Sequence, residues 1–444
     1  MSERIHSGGG GTDRARTVLL FVLVAVLILG TGFVQSWNTA LVILNMGLVS
    51  AIMSLGINMQ WGFAGLFNVG VMGFVALGGL AAVLVSMPPV PAAWSAGGAR
   101  ILGALLVGAG VIALAVALYK RMKPGQLRAF TVFAVVVVGF FVYRGLLDPA
   151  KDAVEAVNPA STGYLGGLGL PIVLAWPVGG LLAAGAAWVI GKVALGLRSD
   201  YLAIATLGIA EIVIAVLKNE DWLSRGVKNV TGLPRPVPRE VDLRQDPGFV
   251  EQATSLGLDP SAASSIAVKL GYSVLFTIVL VILLIAAQLA LNSPWGRMMR
   301  AIRDNETAAE AMGKDVTGRH LQVFILGSAL LGFAGAMMTT LDGQLTPASY
   351  QPLRFTFLIW VMVIVGGSGN NFGAVLGGFL VWWLWVQVEP IGAGVMSIVT
   401  AGMAEDSAVR SHLMDSVAHM RLLTMGVVML LMLRFAPRGL LPER

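Results

Sequence analysis

SPWGRMMRAIRDNETAAEAMGKDV, residues 293–316, interrupts an otherwise apolar part of the chain, with apolar runs at 270–291 before it and 321–341 after it. The interruption carries Arg297, Arg300, Arg303, Asp304, Glu306, Glu310, Lys314 and Asp315. Each such charge costs about 2.5–3.5 kcal/mol at the centre of a bilayer helix, so this stretch does not span. Arg300 with Asp304, and Glu310 with Lys314, stand at the i,i+4 spacing of helical ion pairs. Asn305 has the chemistry of an N-cap, Glu306 suits the positive end of a helix dipole, and Gly313 is placed to end the turn. Between them residues 307–312 predict a short helix with small side chains, Ala308 and Ala309, on one side. Small residues let another surface come close while the flanking charges stay in water. That is the make-up of a docking helix.

Working outward, the 444 residues are 56% hydrophobic and 12% charged, with a mean hydropathy of +0.80. Soluble domains are about a quarter charged, so this is an integral membrane protein. Runs of roughly 20 apolar residues make it an all-α polytopic membrane protein rather than a barrel, with roughly 10–12 transmembrane helices. The candidate spans are 17–35, 39–60, 69–87, 100–119, 129–147, 171–193, 201–217, 270–291, 321–341, 355–365, 374–388 and 421–435. The first reads as a retained span behind a mildly basic segment, 1–16, because no small-residue cleavage site follows it. If every run crosses, the all-positive loop of Lys120, Arg121, Lys123 and Arg128 shares a side with the 293–316 stretch and with the 437–444 tail. Basic loops mark the cytoplasmic side, so both termini are expected there. The 218–269 loop falls on the opposite side, with seven basic and seven acidic side chains and five prolines. Its length and composition suit either a surface for a soluble partner or a spacer. The formal charge of +6 fits basic inner loops and does not argue for nucleic acid.

Two stretches break the helical pattern. Residues 58–70, NMQWGFAGLFNVG, set amides and glycines between apolar flanks, and residues 366–373, GGSGNNFG, separate two short apolar runs. Irregular backbone at membrane depth survives only where protein buries it or it lines a wet cavity. Broken helices are also the best sequence pointer to a transport pathway. Gly62 and Gly65 fit close helix packing, whereas Asn370-Asn371 among glycines fits a true break. Glu211 lies about mid-way along an apolar helix pattern. It suits either a pathway acid, with Tyr201 and Thr206 near the same face, or a structural ion pair with Arg144 or Arg354. Asp342 and Arg354 read as solvated loop charges, and Trp382, Trp383 and Trp385 as an interfacial belt. His412 and His419 are expected on a solvated amphipathic helix before the last span.

No catalytic motif stands out. Gly185 and Gly191-Lys192 have one residue too many for a phosphate-binding loop, and Val193 follows where Ser or Thr belongs. There is no cysteine for a thiolate site or nucleophile, and the four histidines have no ligand spacing. Any energy must come from another polypeptide.

Residues 293–316 resemble the coupling segment of branched-chain amino acid ABC transporter permeases. LGINMQWGFAGLFNVGVMGFVALGG, LRSDYLAIATLGIAEI and VIVGGSGNNFGAVLGG are similar to that family's other signatures, in order, and RFAPRGLLPER to the ending of its M-type subunit. The resemblance implies a permease domain over 17–436 in a bacterial inner membrane. It also implies an H-type permease partner, a periplasmic binding protein and two cytoplasmic ATPases that use ATP and Mg. This chain itself would bind no cofactor. The coupling role falls on Arg297, Arg300, Arg303, Asp304, Glu306, Ala308, Ala309, Glu310 and Gly313. The family's pathway role falls on Asn68, Glu211 and the 366–373 break with Gly367, Asn370 and Asn371, and the broken stretch at 58–70 and the helical spacing add Asn58, Trp61, Tyr201 and Thr206 as pathway candidates. An importer of urea or short amides looks similar across these motifs. An ion-coupled transporter with Glu211 as proton site is the competing class. Extra material at 120–171 and 389–420 exceeds a typical member.

Overall fold

The computed structural model describes residues 9–404 and 407–443, with side chains from Arg14 onward. His6 and half of the 1–16 segment lie outside those residues. Among the described residues ten helices are long and apolar enough to cross a membrane, and two shorter apolar ones, Val71–Ser86 and Pro352–Gly366, bring the set to the twelve runs read from sequence. The long apolar helices and the shorter α3 up to the polar interruption are α1 (Gly9–Val34), α2 (Trp37–Ile57), α3 (Val71–Ser86), α4 (Ala99–Arg121), α5 (Gln126–Glu155), α6 (Ala175–Ala194), α7 (Ser199–Asn219) and α8 (Pro260–Asn292). The interruption itself folds as α9 (Pro294–Asp304) and α10 (Glu306–Ala311). Then come α11 (Val316–Asp342), α12 (Pro352–Gly366), α13 (Asn371–Val399), α14 (Ala408–Asp415) and α15 (Met420–Phe435).

α11 is the axle of the packing, and α2, α3 and α6 all lie against it. Glycines set the separations. A Cβ on Gly56 of α2 would sit 2.8 Å from the Gly327 carbonyl oxygen, and one on Gly332 would run into the Gly179 carbonyl and Ala183 of α6. Small-residue faces of this kind let helices associate in lipid, where apolar burial offers little driving force. Gly332→Ala therefore forces α6 away, and overpacking of this sort costs about 1–3 kcal/mol. A lowered melting temperature of the detergent-solubilised chain is the expected result. An unchanged one removes the axle role from this contact.

The chain's connections sort onto two faces. Residues 64–67, 195–200 and 302–310 border one shared cavity, and the tail at 440–443 joins them through Arg303. On the opposite face β1 (Val230–Thr231) pairs antiparallel with β2 (Gln344–Leu345), and the Leu165 amide donates to the Trp222 carbonyl at 3.0 Å. The 218–269 loop is thereby pinned to the α11–α12 connection and carries its own short helices, Glu240–Gln245 and Pro247–Ser255, so it is not a slack spacer. Residues 120–155 form most of the α4–α5 hairpin. Leu106, Phe130, Phe133 and Phe141 point outward from it, a surface suited to lipid.

Three expectations are corrected. Arg144 pairs with Asp148 at 3.0 Å, one turn along its own helix, and not with Glu211. Arg354 lies over the Trp385 ring at 5.1 Å, so it too leaves Glu211 alone. The tryptophans form no exposed belt: Trp385 is buried, and half-buried Trp383 donates to Thr31 Oγ1 of α1 at 3.1 Å. His412 and His419 are exposed on α14 and the turn after it, as expected.

Candidate functional site

α9 starts at Pro294, whose missing N–H suits a first helical turn. Met299 and Ile302, three residues apart, are buried in the main core and fix its inner face. Its arginines divide the labour. Arg297 and Arg300 reach back to the Asn292 and Leu291 carbonyls at 3.2 and 3.5 Å, tying down the end of α8. Arg303 donates to the Gly62 carbonyl, meets Glu443 of the tail at 2.8 Å and holds neighbouring Asp304 at 3.0 Å. Burial works against its charge, but hydrogen bonds and charge from Glu443 and Asp304 outweigh that and raise its pKa above the ordinary value. The i,i+4 pairs expected from spacing do not form, because Arg303 takes Asp304 and neither Glu310 nor Lys314 has an ion-pair partner among the described residues.

α10 follows as the sequence predicts. Asn305 Oδ1 accepts from the Ala308 amide at 3.0 Å, and Gly313 ends the turn with φ +75°. Glu306, Ala308, Glu310 and Met312 are exposed and Ala309 is half-buried. Glu306, Glu310 and Arg303 border a cavity of about 700 Å³ shared with Arg198, Asp200 and His320.

The two breaks meet beneath this segment. α2 loosens into a π turn over Asn58–Gly62, and the chain then dips through 65–70 before α3. Asn58 donates from Nδ2 to Asn371 Oδ1 at 3.0 Å and accepts from the Gly369 amide at 2.8 Å. Gly62 permits the approach, since a Cβ there would overlap the Gly369 backbone. Asn68 donates to Gln60 Oε1 at 2.9 Å, and Gln60 donates in turn to the Phe324 carbonyl and Ser328 of α11 at 3.0 and 3.1 Å. Asn58, Gln60 and Asn68 are all 0% exposed. Trp360 donates to the Asn68 carbonyl at 3.1 Å and stacks edge-on with Trp61 and Phe67. Buried amides satisfied this fully make a rigid bracket.

The second break is held from below by the tail. Gly367 takes φ +119°, and Asn370 caps α13 by accepting from the Phe372 amide at 3.0 Å. Leu440 and Leu441 donate backbone hydrogen bonds at 2.9 Å to the Val365 and Gly366 carbonyls, and Asn370 Nδ2 donates to the Pro442 carbonyl at 3.2 Å. One guanidinium thus touches both the first break and the strap across the second. Two partners were missed by reading the sequence: Glu443, which pairs with Arg303, and Gln288, which accepts from Asn371 at 3.4 Å; both are distant in the chain and carry no local signal.

On α7 the predicted face splits. Tyr201, Ile204, Gly208, Glu211 and Ile212 form an outward stripe, while Thr206 points inward and accepts from the Val69 amide at 3.1 Å. Residue 206 lies five positions from both 201 and 211, about 140° around the helix, so it cannot share their stripe. Glu211 has no hydrogen bond or ion pair among the described residues.

A family model described as branched-chain amino acid transport system, permease component, matches residues 127–433. The chain is 29% identical over 296 residues to the Escherichia coli high-affinity branched-chain amino acid transport system permease protein LivM, covering 65% of this chain and 61% of that protein. It is 33% identical over 106 residues to a probable branched-chain amino acid transport permease protein LivH of Methanocaldococcus jannaschii, 24% of this chain and 33% of that protein. Against the ribose import permease protein RbsC of Haemophilus influenzae the identity is 25% over 264 residues, 58% of this chain and 74% of that protein. No solved structure matches. With the match running from the second half of the α4–α5 hairpin into α15, the chain belongs to the branched-chain amino acid transport permease family.

Proposed function

We propose that this chain is the membrane-spanning subunit of an ATP-driven importer of branched-chain amino acids in a bacterial inner membrane. The observation that carries the reading is Arg303, which ties an exposed two-helix segment to both helix breaks at once. A push on α10 is then delivered to the bracket without passing through flexible loop. The pusher is a cytoplasmic ATPase with its ATP and Mg, one of a pair, so the α9–α10 face and both termini are cytoplasmic. The opposite face, with the pinned 218–269 loop, receives a periplasmic binding protein. The second permease subunit covers the Tyr201–Glu211 stripe, because an acid in mid-span faces protein or water rather than lipid.

Two substitutions test the coupling. Glu310→Arg and Gly313→Pro are expected to leave membrane insertion intact while separating ATP hydrolysis from uptake by the assembled transporter. Normal uptake by both counts against it. Glu211→Gln is expected to lower the uptake rate, and a wild-type rate assigns the acid a purely structural place. Competition of labelled leucine uptake by valine, urea and ribose decides the cargo: competition by valine alone is expected, and competition by urea or ribose redirects the assignment.

A further inference from the structure

A second cavity, of about 190 Å³, lies among α2, α3, α11, α12 and α13, with exposed Asp342 and Ser349 at its rim. This is smaller than the ~300–1,000 Å³ of pockets for drug-sized ligands, so its natural occupant is a small metabolite. Five methionines line it: Met46 and Met53 of α2, Met72 of α3, Met338 of α11 and Met362 of α12. Unbranched thioethers adapt their shape to the surface they meet, a property suited to aliphatic groups of differing branching.

Two polar groups line the same cavity. Asp342, the last residue of α11, lines the cavity and has neither ion pair nor hydrogen bond among the described residues. Trp382 of α13 lines it too, and its indole Nε1–H is buried without an acceptor. A buried donor left without a partner costs about 1–3 kcal/mol, which an arriving acceptor relieves. An acid, an unpaired N–H and apolar walls in one small cavity complement a zwitterion with an aliphatic side chain. Neither a neutral sugar nor urea offers a cation to the carboxylate.

We propose that this cavity is a substrate-binding site for aliphatic α-amino acids, with Asp342 holding the ammonium group and Trp382 donating to the carboxylate. The proposal rests on the import reading above and adds the place and the two polar contacts. Asp342 then serves as a selectivity residue on the outer side of the bracket, before the Asn58–Asn371 and Asn68–Trp360 contacts open.

The chain has no cysteine, so Ser349→Cys at the mouth gives this subunit a single thiol, whose labelling is followed on this subunit in the complete transporter reconstituted in proteoliposomes. Leucine is expected to slow modification of that thiol by a membrane-impermeant reagent roughly tenfold, equivalent to about 1.4 kcal/mol. 4-Methylpentanoate, which lacks the ammonium group, and ribose are expected to give no protection. Adding Asp342→Asn should abolish the protection by leucine, Trp382→Phe should weaken it, and Asp342→Glu should retain it, which separates charge from folding. If the transporter imports leucine yet leucine leaves the labelling rate unchanged, or protects equally in Asp342→Asn, the site is wrong and the import reading stands. If the wild-type complex imports no aliphatic amino acid, the import reading fails, and the site with it.

Discussion

Arg303→Ala is expected to cut substrate uptake by about 5–150-fold, the range that a coupling free energy of ~1–3 kcal/mol commands, while ATP hydrolysis continues. The reason is geometric. Without the guanidinium, the Gly62 carbonyl loses a donor and Glu443 loses its cation, while α9 keeps its apolar anchors Met299 and Ile302 and the bonds of Arg297 and Arg300 to the end of α8. Movement of α10 would then no longer reach the two breaks together. The partners can be separated. Glu443→Gln removes the charge but leaves an oxygen acceptor, so a smaller loss is expected. Deleting 439–443 also frees the Val365 and Gly366 carbonyls, so its loss should approach that of Arg303→Ala. The double exchange Arg303→Glu with Glu443→Arg restores opposite charges without restoring the donor to Gly62. Uptake recovering in that double variant would show that the ion pair alone carries the push and that the contact with the first break is incidental.

How much of this was legible beforehand follows from the range over which each signal acts. The apolar helices and the short exposed helix of Glu306–Ala311 rest on local properties, namely hydropathy, the Asn305 cap and the Gly313 turn, and these read correctly. The breaks were legible as irregular backbone because amides and glycines stand out among apolar neighbours. Their meeting was not, since Asn58 and Asn371 are 313 residues apart. Charge spacing misled at Arg300 and Asp304, because Arg303 reaches Asp304 from the adjacent position while also serving Gly62 and Glu443. The same limit explains Thr206: helical spacing places it away from Tyr201 and Glu211, but only packing shows that its side is the buried one. Asp342 read as a solvated loop charge and is exposed, as such a charge should be, but it ends α11 and lines a cavity built by five helices, which nothing local in the sequence distinguishes from an ordinary loop position. Arg354 read likewise, and it is indeed exposed.

Asn58→Leu is expected to be the most destabilising single change in the bracket. The substitution keeps roughly the same bulk, but it leaves the Gly369 N–H and the Asn371 Oδ1 buried without their partner. Each orphaned group costs about 1–3 kcal/mol, so the pair amounts to about 2–6 kcal/mol. Asn371→Leu should be milder, because Asn58 keeps its bond from Gly369 and only the Asn58 amide and the 3.4 Å contact with Gln288 are lost. The double variant distinguishes a bracket from a set of independent contacts. Once Asn58 is gone, removing the Asn371 oxygen removes an orphan rather than creating one, so the double loss should fall short of the sum by about 0.5–3 kcal/mol. Thermal unfolding of the three detergent-solubilised variants measures it. Strict additivity would mean that the two breaks are held apart from one another by packing alone, and that the tail and Arg303 act on the second break without engaging the first.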